Sequence, residues 1–173
     1  MDEIKKIRFL FKKVLNRKLP NRGLISENCK IQFPSKANIE INNHIILQEN
    51  CMIKVIDGAT LKIGKNFGMN RNGTLVARSN ITIGDNVIIG PNCCIYDHDH
   101  NYNRANLRTE FINGEITIGD NVWIGANCTI LRGTIIGNNS IIGANSCLKG
   151  IVEPNSIYYE KNEKIIKPRK TIK

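Results

Sequence analysis

The chain has 173 residues, a mass of 19.5 kDa and a formal charge of +10, from 25 Lys and Arg against 15 Asp and Glu. That length holds one domain with a real core but not two large ones, and no stretch approaches the roughly 18 apolar residues of a membrane span. No signal-peptide pattern opens the chain, so a cytoplasmic protein is expected, neither secreted nor integral to a membrane.

The positive charge is confined to the two ends. Residues 1–18 carry seven basic and two acidic side chains, residues 160–173 carry six and two, and the body between them carries twelve and eleven. The folded body therefore lacks the basic excess that marks a nucleic-acid surface. No nucleic-acid partner is expected.

The N-terminal segment places Ile4, Ile7, Leu10, Phe11, Val14 and Leu15 on one helical face with Lys and Arg opposite. Pro20 stops it. We expect a basic amphipathic helix over residues 1–20 that caps the next element and can contact an anionic membrane or glycan precursor.

From Ile25 onward a six-residue period takes over. The tetrad Ile-Gly-x-Asn occurs seven times, starting at Ile63, Ile83, Ile89, Ile118, Ile124, Ile136 and Ile142. The same register runs through Ile95, Ile130 and Leu148, and weaker copies extend upstream through Ile25, Ile31, Ile41, Leu47, Ile53, Met69 and Leu75. Neither an amphipathic helix nor a two-stranded ribbon has this period. A triangular coil of three short strands per turn does, with one large aliphatic side chain inward on each face. Gly permits close approach of neighbouring coils, and Asn tolerates the left-handed backbone of a corner. Stacked coils make parallel sheets around a ladder of Ile. The period leaves the hand open, since most parallel crossovers are right-handed.

Four cysteines, Cys29, Cys51, Cys93 and Cys128, lie four residues after an inward aliphatic, where other repeats carry Ser79, Thr134, Ser140 and Ser146. That slot takes a small buried side chain. With no zinc-type spacing, reduced structural thiols and no metal are expected. His44, three residues after Ile41, is read as structural.

The regular pattern breaks twice. Some 17 residues, Asn101–Thr117, fall outside the register between Ile95 and Ile118, and long excursions from regular scaffolds commonly carry function. Pro154 then closes the repeats, and a Lys-rich tail begins at residue 160. We therefore divide the chain into the helix (1–20), a β-helix domain (21–159) and the tail (160–173).

These repeats, above all ITIGDNVWIGANCTI at Ile116–Ile130, resemble the hexapeptide-repeat acyltransferases, closest to the maltose, galactoside, xenobiotic and polysaccharide O-acetyltransferase subgroup. The resemblance covers about residues 25–160. It implies a left-handed parallel β-helix, a homotrimer, and acetyl-CoA bound between subunits as co-substrate. It places the catalytic base at His100 within IYDHDHNYN, with His98 as the base if the register slips by two and otherwise near the acceptor. Asp97 or Asp99 would orient the imidazole. A neutral imidazole suits proton removal from a sugar hydroxyl near pH 7.

By the same resemblance the backbone N–H of Ala126 supplies an oxyanion donor, where many relatives carry Ser. The lone Trp123 lies along the pantetheine arm or packs in a trimer interface. Ala144 and Lys149 fall near the CoA, and Lys164 and Lys167 match basic positions of a C-terminal motif whose Gly and Pro are missing here. Asn70, in GMNRN, aligns with an acceptor-binding Asn or is another corner residue. Arg78 stands near an acceptor-binding acid of some sugar acetyltransferases, leaving room for an anionic glycan.

The function implied is acetyl transfer from acetyl-CoA to a hydroxyl of a bacterial surface-polysaccharide sugar or precursor, by direct attack and without a cysteine nucleophile. An N-acetyltransferase of a nucleotide-linked amino sugar and an antibiotic-inactivating acetyltransferase are the alternatives. A γ-type carbonic anhydrase would need three zinc-binding His at a different spacing. A non-catalytic scaffold would have no use for His100, Trp123 and the excursion.

Overall fold

The computed structural model describes residues 23–161. The expected N-terminal helix and the candidates Lys164 and Lys167 lie outside these residues. The described chain winds into a parallel β-solenoid of three sheets, with seven, six and six strands, plus one two-stranded hairpin. The first face runs from Gly23–Ile25 through Ile45–Leu47, Phe67–Met69, Ile88–Ile89, Trp123–Ile124 and Ile141–Ile142 to Ile157–Tyr158. The second face includes Thr74–Ala77 and Cys94–Tyr96, and the third includes Asn80–Ile83 and Ile116–Ile118.

The inward ladder follows the six-residue period. Ile83, Ile89, Ile95, Ile118, Ile124, Ile130, Ile136, Ile142 and Leu148 are all buried, as are Leu47, Ile53, Ile63, Met69 and Leu75 upstream. Ile25, Ile31 and Ile41 are only half-buried, because they belong to the first described coil. The longer early strands bury a second side chain each, such as Leu61 and Ile81, which the six-residue period alone does not reveal.

Corner chemistry separates the three edges of the prism. All seven tetrad asparagines have left-handed backbone, with φ between 56° and 60° except Asn145 at 64°. They stack into two ladders of side-chain amides. Asn50, Asn72, Asn92, Asn127 and Asn145 follow one another along the first–second edge, and Asn66, Asn86, Asn121, Asn139 and Asn155 along the third–first edge. His44, with φ 63°, occupies the equivalent left-handed corner slot of the first described coil. The second–third edge has no such ladder and turns instead through Gly58, Gly133 and Gly150, all at positive φ.

The small inward slot has a chemistry of its own. Thiol Sγ atoms of Cys29, Cys51, Cys93 and Cys128 donate to the carbonyls of Gln48, Asn70, Gly125 and Gly143 at 3.1, 3.0, 3.0 and 3.2 Å. Thr134 and Ser140 hydroxyls do the same toward Leu148 and Glu153. The slot therefore selects a small side chain with one hydrogen to donate. All six cysteines are free, and burial pushes the thiols of Cys51 and Cys93 up to about 11, far from a nucleophilic thiolate at neutral pH.

Candidate active site

The excursion leaves the coil at the edge without an asparagine ladder. Ladder partners Asn86 and Asn121 are 35 residues apart, whereas Asn121 and Asn139 are 18 apart and Asn66 and Asn86 are 20 apart, so this coil carries 17 residues more than the next one and 15 more than the one before. The count matches the sequence reading but the boundaries move. Ile116 and Thr117 are already paired in the third face with Ile81 and Thr82, and the insertion runs from His98 to Gly114 rather than from Asn101 to Thr117. Its two legs form an antiparallel hairpin that pairs His98 with Asn113, Asp99 with Ile112 and His100 with Phe111.

Because alternate strand residues share a face, the hairpin sorts its polar side chains. His98 and His100 lie together over Phe111, with ring centroids 5.6 and 4.6 Å away. Asp99 points to the other side, where its carboxylate receives Nε of Arg132 at 2.6 Å. Asp97 is fully buried (0% exposed). Its carboxylate accepts the backbone N–H of Arg78 at 2.8 Å and of Ser79 at 2.7 Å, and lies 3.1 Å from Nδ1 of His98. It thus ties the foot of the hairpin to the coil beneath.

Neither acid orients His100. Its Nδ1 bonds the backbone carbonyl of Leu107, in the loop of the same hairpin. A carbonyl only accepts, so Nδ1 carries a proton and, in the neutral ring, Nε2 presents a free lone pair. A main-chain oxygen rather than Asp97 or Asp99 holds the His100 ring, whereas Asp97 faces Nδ1 of His98.

The other candidates lie elsewhere on the prism. Trp123 is 54% exposed on the first face, paired between Ile88 and Ile141, and this face is opposite the edge that bears the hairpin. Asn70, Ala126 and Ala144 follow one another along the first–second edge. Asn70 donates Nδ2 to the Ile89 carbonyl at 3.1 Å and borders a groove of about 450 Å³ around Gly68, between Ile46 and Ile88. Lys149 is exposed on the hairpin's own edge, two coils beyond it. A single chain thus gathers the histidines with Lys149 and, on a separate flank, Asn70, Ala126 and Ala144 beside Trp123.

The first–second edge holds unused donors. On the third–first edge the N–H groups of Lys65, Asp85 and Asp120 are each capped by a side chain of the next coil, Asp85, Asp120 and Asn138, at 2.7, 2.7 and 2.9 Å. The matching tetrad positions on the first–second edge are Pro91, Ala126 and Ala144. Alanine has no acceptor to offer, and the N–H groups of Ala126 and Ala144 have no partner among the described residues. The third letter of each tetrad carried this signal.

His44 lies on one edge and His98 and His100 on another. Among the described residues no three His, Cys, Asp or Glu gather to hold a metal ion.

The solenoid of stacked six-residue repeats is matched by known proteins. A model of the bacterial transferase hexapeptide (six repeats) matches residues 115–150. A hexapeptide-repeat acetyltransferase structure from Vibrio cholerae is 31% identical over 75% of this chain and 72% of that one, with a TM-score of 0.61. The chain belongs to the hexapeptide-repeat family of bacterial transferases.

The chain is also similar to two further proteins. Galactoside O-acetyltransferase of Escherichia coli (strain K12) is 41% identical over 98 residues, which span 56% of this chain and 48% of that protein. This chain therefore spans about half the length of that curated relative. AntD, an N-acyltransferase from Bacillus cereus in complex with dTDP and 3-hydroxybutyryl-CoA, shares the fold with a TM-score of 0.68 over 86% of this chain and 80% of that one, at 22% identity.

Proposed function

We propose that the protein is a cytoplasmic, acetyl-CoA-dependent O-acetyltransferase that modifies a hydroxyl of a bacterial surface-polysaccharide sugar or precursor. It works as a homotrimer of left-handed β-helices. The observation that carries this reading is the Leu107 carbonyl on Nδ1 of His100, which leaves Nε2 as a base. Support also comes from the Escherichia coli relative, named for galactoside O-acetylation. A Vibrio cholerae relative, 30% identical over 77% of this chain and 66% of that one, was crystallised with acetyl coenzyme A.

The separation of the two flanks supports the trimer. Trp123 and the open N–H groups meet the histidines only when the flank of one copy faces the hairpin of the next. Exposed Leu24, Ile46, Ile88, Trp123 and Ile157 form an apolar row on the first face, which such packing would cover in part.

His100 Nε2 takes the proton of the acceptor hydroxyl as its oxygen adds to the thioester carbonyl carbon. The N–H of Ala126 donates to the oxyanion that forms. Carbon–sulfur cleavage follows, His100 returns the proton to the leaving thiolate, and an acetyl ester and free CoA result. Trp123, Ala144 and Lys149 would hold the CoA, joined by Lys164 and Lys167 of the tail, while Asn70 and His98 contact the acceptor. The basic N-terminal residues would bring the enzyme to the inner face of the membrane, which salt-dependent binding to anionic vesicles checks.

The test is a thiol-release assay with acetyl-CoA and a panel of neutral, anionic and amino sugars, alongside equilibrium CoA binding. Ester formation supports the proposal. Amide formation on a nucleotide-linked amino sugar replaces it with N-acetylation, and a folded trimer that neither binds nor consumes acetyl-CoA overturns it.

A further inference from the structure

Beside the histidine pair, Arg78 is a charged group without an ion-pair partner among the described residues. It is half-buried, and its guanidinium carbon lies 3.4 Å from the centroid of Phe111. That same ring pairs across the hairpin with His100 and packs against His98. One aromatic platform therefore carries the cation and both imidazoles.

The surrounding acids are already engaged. Asp97 turns its carboxylate to backbone amides and His98, and Asp99 is paired with Arg132. Two other arginines with a role in the coils, Arg71 and Arg132, are neutralised by Glu49 and Asp99. Arg78 makes no ion pair among the described residues. A stacked guanidinium keeps its N–H fork free at the rim, in the planar geometry that matches a carboxylate or phosphate.

We propose that Arg78 recognises an anionic group, a carboxylate or a phosphate, on the acceptor and so presents the neighbouring hydroxyl to the histidine pair. This rests on the reading of the hairpin as the acceptor side of the transferase. Phe111 acts as a positioning residue that fixes the guanidinium, and Asp97 holds the backbone from which Arg78 projects.

The experiment measures binding of glucuronate, glucose 1-phosphate and glucose to the CoA-loaded protein by ligand-observed NMR, for the wild type, Arg78→Gln, Arg78→Lys and Phe111→Leu. At least one anion should bind about ten- to a hundredfold more tightly than glucose, the scale of a charge-assisted contact. Arg78→Gln should erase that preference, and Arg78→Lys should keep part of it. Phe111→Leu should weaken it. A preference for glucuronate identifies a uronic-acid carboxylate, and one for glucose 1-phosphate a sugar phosphate. Equal affinities, no binding of any probe, or a preference that survives Arg78→Gln overturns the proposal. Circular dichroism checks folding, and Arg78→Lys decides the matter if the Gln variant does not fold. CoA affinity in the same samples separates this outcome from failure of the transferase reading.

Discussion

The two asparagine-lined edges are written with the same tetrad and finished differently. Along the third–first edge the tetrad's third letter is Lys65, Asp85, Asp120 and Asn138, and from Asp85 onward each side chain caps the amide of the coil before it. Along the first–second edge it is Pro91, Ala126 and Ala144, and amides stay open. From Lys65 to Asp120 one edge is closed on itself and serves the stack. The other keeps donors that the fold does not need, at a small cost in stability.

The comparison breaks first at the base that the open edge is proposed to serve. His100→Ala should lower acetyl transfer at least about a hundredfold while leaving CoA binding intact; a fully active variant, with His98→Ala inactive instead, would move the base by two residues. Ala126→Pro should also cost about a hundredfold, by deleting one oxyanion donor. Pro91 occupies the equivalent corner one coil earlier, so the backbone accepts the ring, and an unchanged rate would leave the open N–H without a catalytic role. Mixed trimers refolded from the His100→Ala and Ala126→Pro chains should regain activity, since one supplies the flank and the other the hairpin. No recovery would argue that both groups act within one chain.

Stability separates the edges next. Asp97→Ala strands the Arg78 and Ser79 amides beneath the hairpin and should cost about 1–3 kcal/mol in urea unfolding. Asp120→Ala on the closed edge should cost about 1 kcal/mol, uncapping the exposed Asp85 amide, with transfer unchanged. A separate, pH-dependent effect concerns the thiols. Cys51 and Cys93 titrate near 11 in the folded protein against an ordinary value of 9.0. The folded state then holds more protons, so their contribution is complete below about pH 9 and is lost as pH rises through about 11. Urea midpoints should fall across that window, and less steeply in Cys51→Ser/Cys93→Ser.

Legibility followed sequence distance. The six-residue spacing identified the inward ladder and the left-handed asparagines because both are local consequences of one corner geometry. The excursion's length was readable, but its start was not. His98 looks like the continuation of Ile95-Tyr96-Asp97 until Phe111 pairs with His100, a contact set only when the chain folds back. The orienting group of His100 is a backbone oxygen and leaves no trace in residue type. Arg78 reaches Phe111 from the preceding coil, so its place beside the imidazoles depends on stacking rather than spacing. The unequal third letters of the tetrads were in plain view, and only the three-edged geometry gives them meaning.

The chemical distinctness of the edges has a consequence for how such a molecule can grow or shrink. The ladder partners Asn121 and Asn139 are 18 residues apart, three hexapeptides. Duplicating or deleting one whole coil would keep every amide on its own ladder, with alanine above alanine and aspartate above asparagine. Adding or removing a single hexapeptide would keep the aliphatic core in phase yet rotate every later corner by one edge, setting open positions over closed ones and moving the hairpin to a different flank. The hexapeptide is the period of the core, but the coil is the smallest unit that evolution or a protein engineer can exchange.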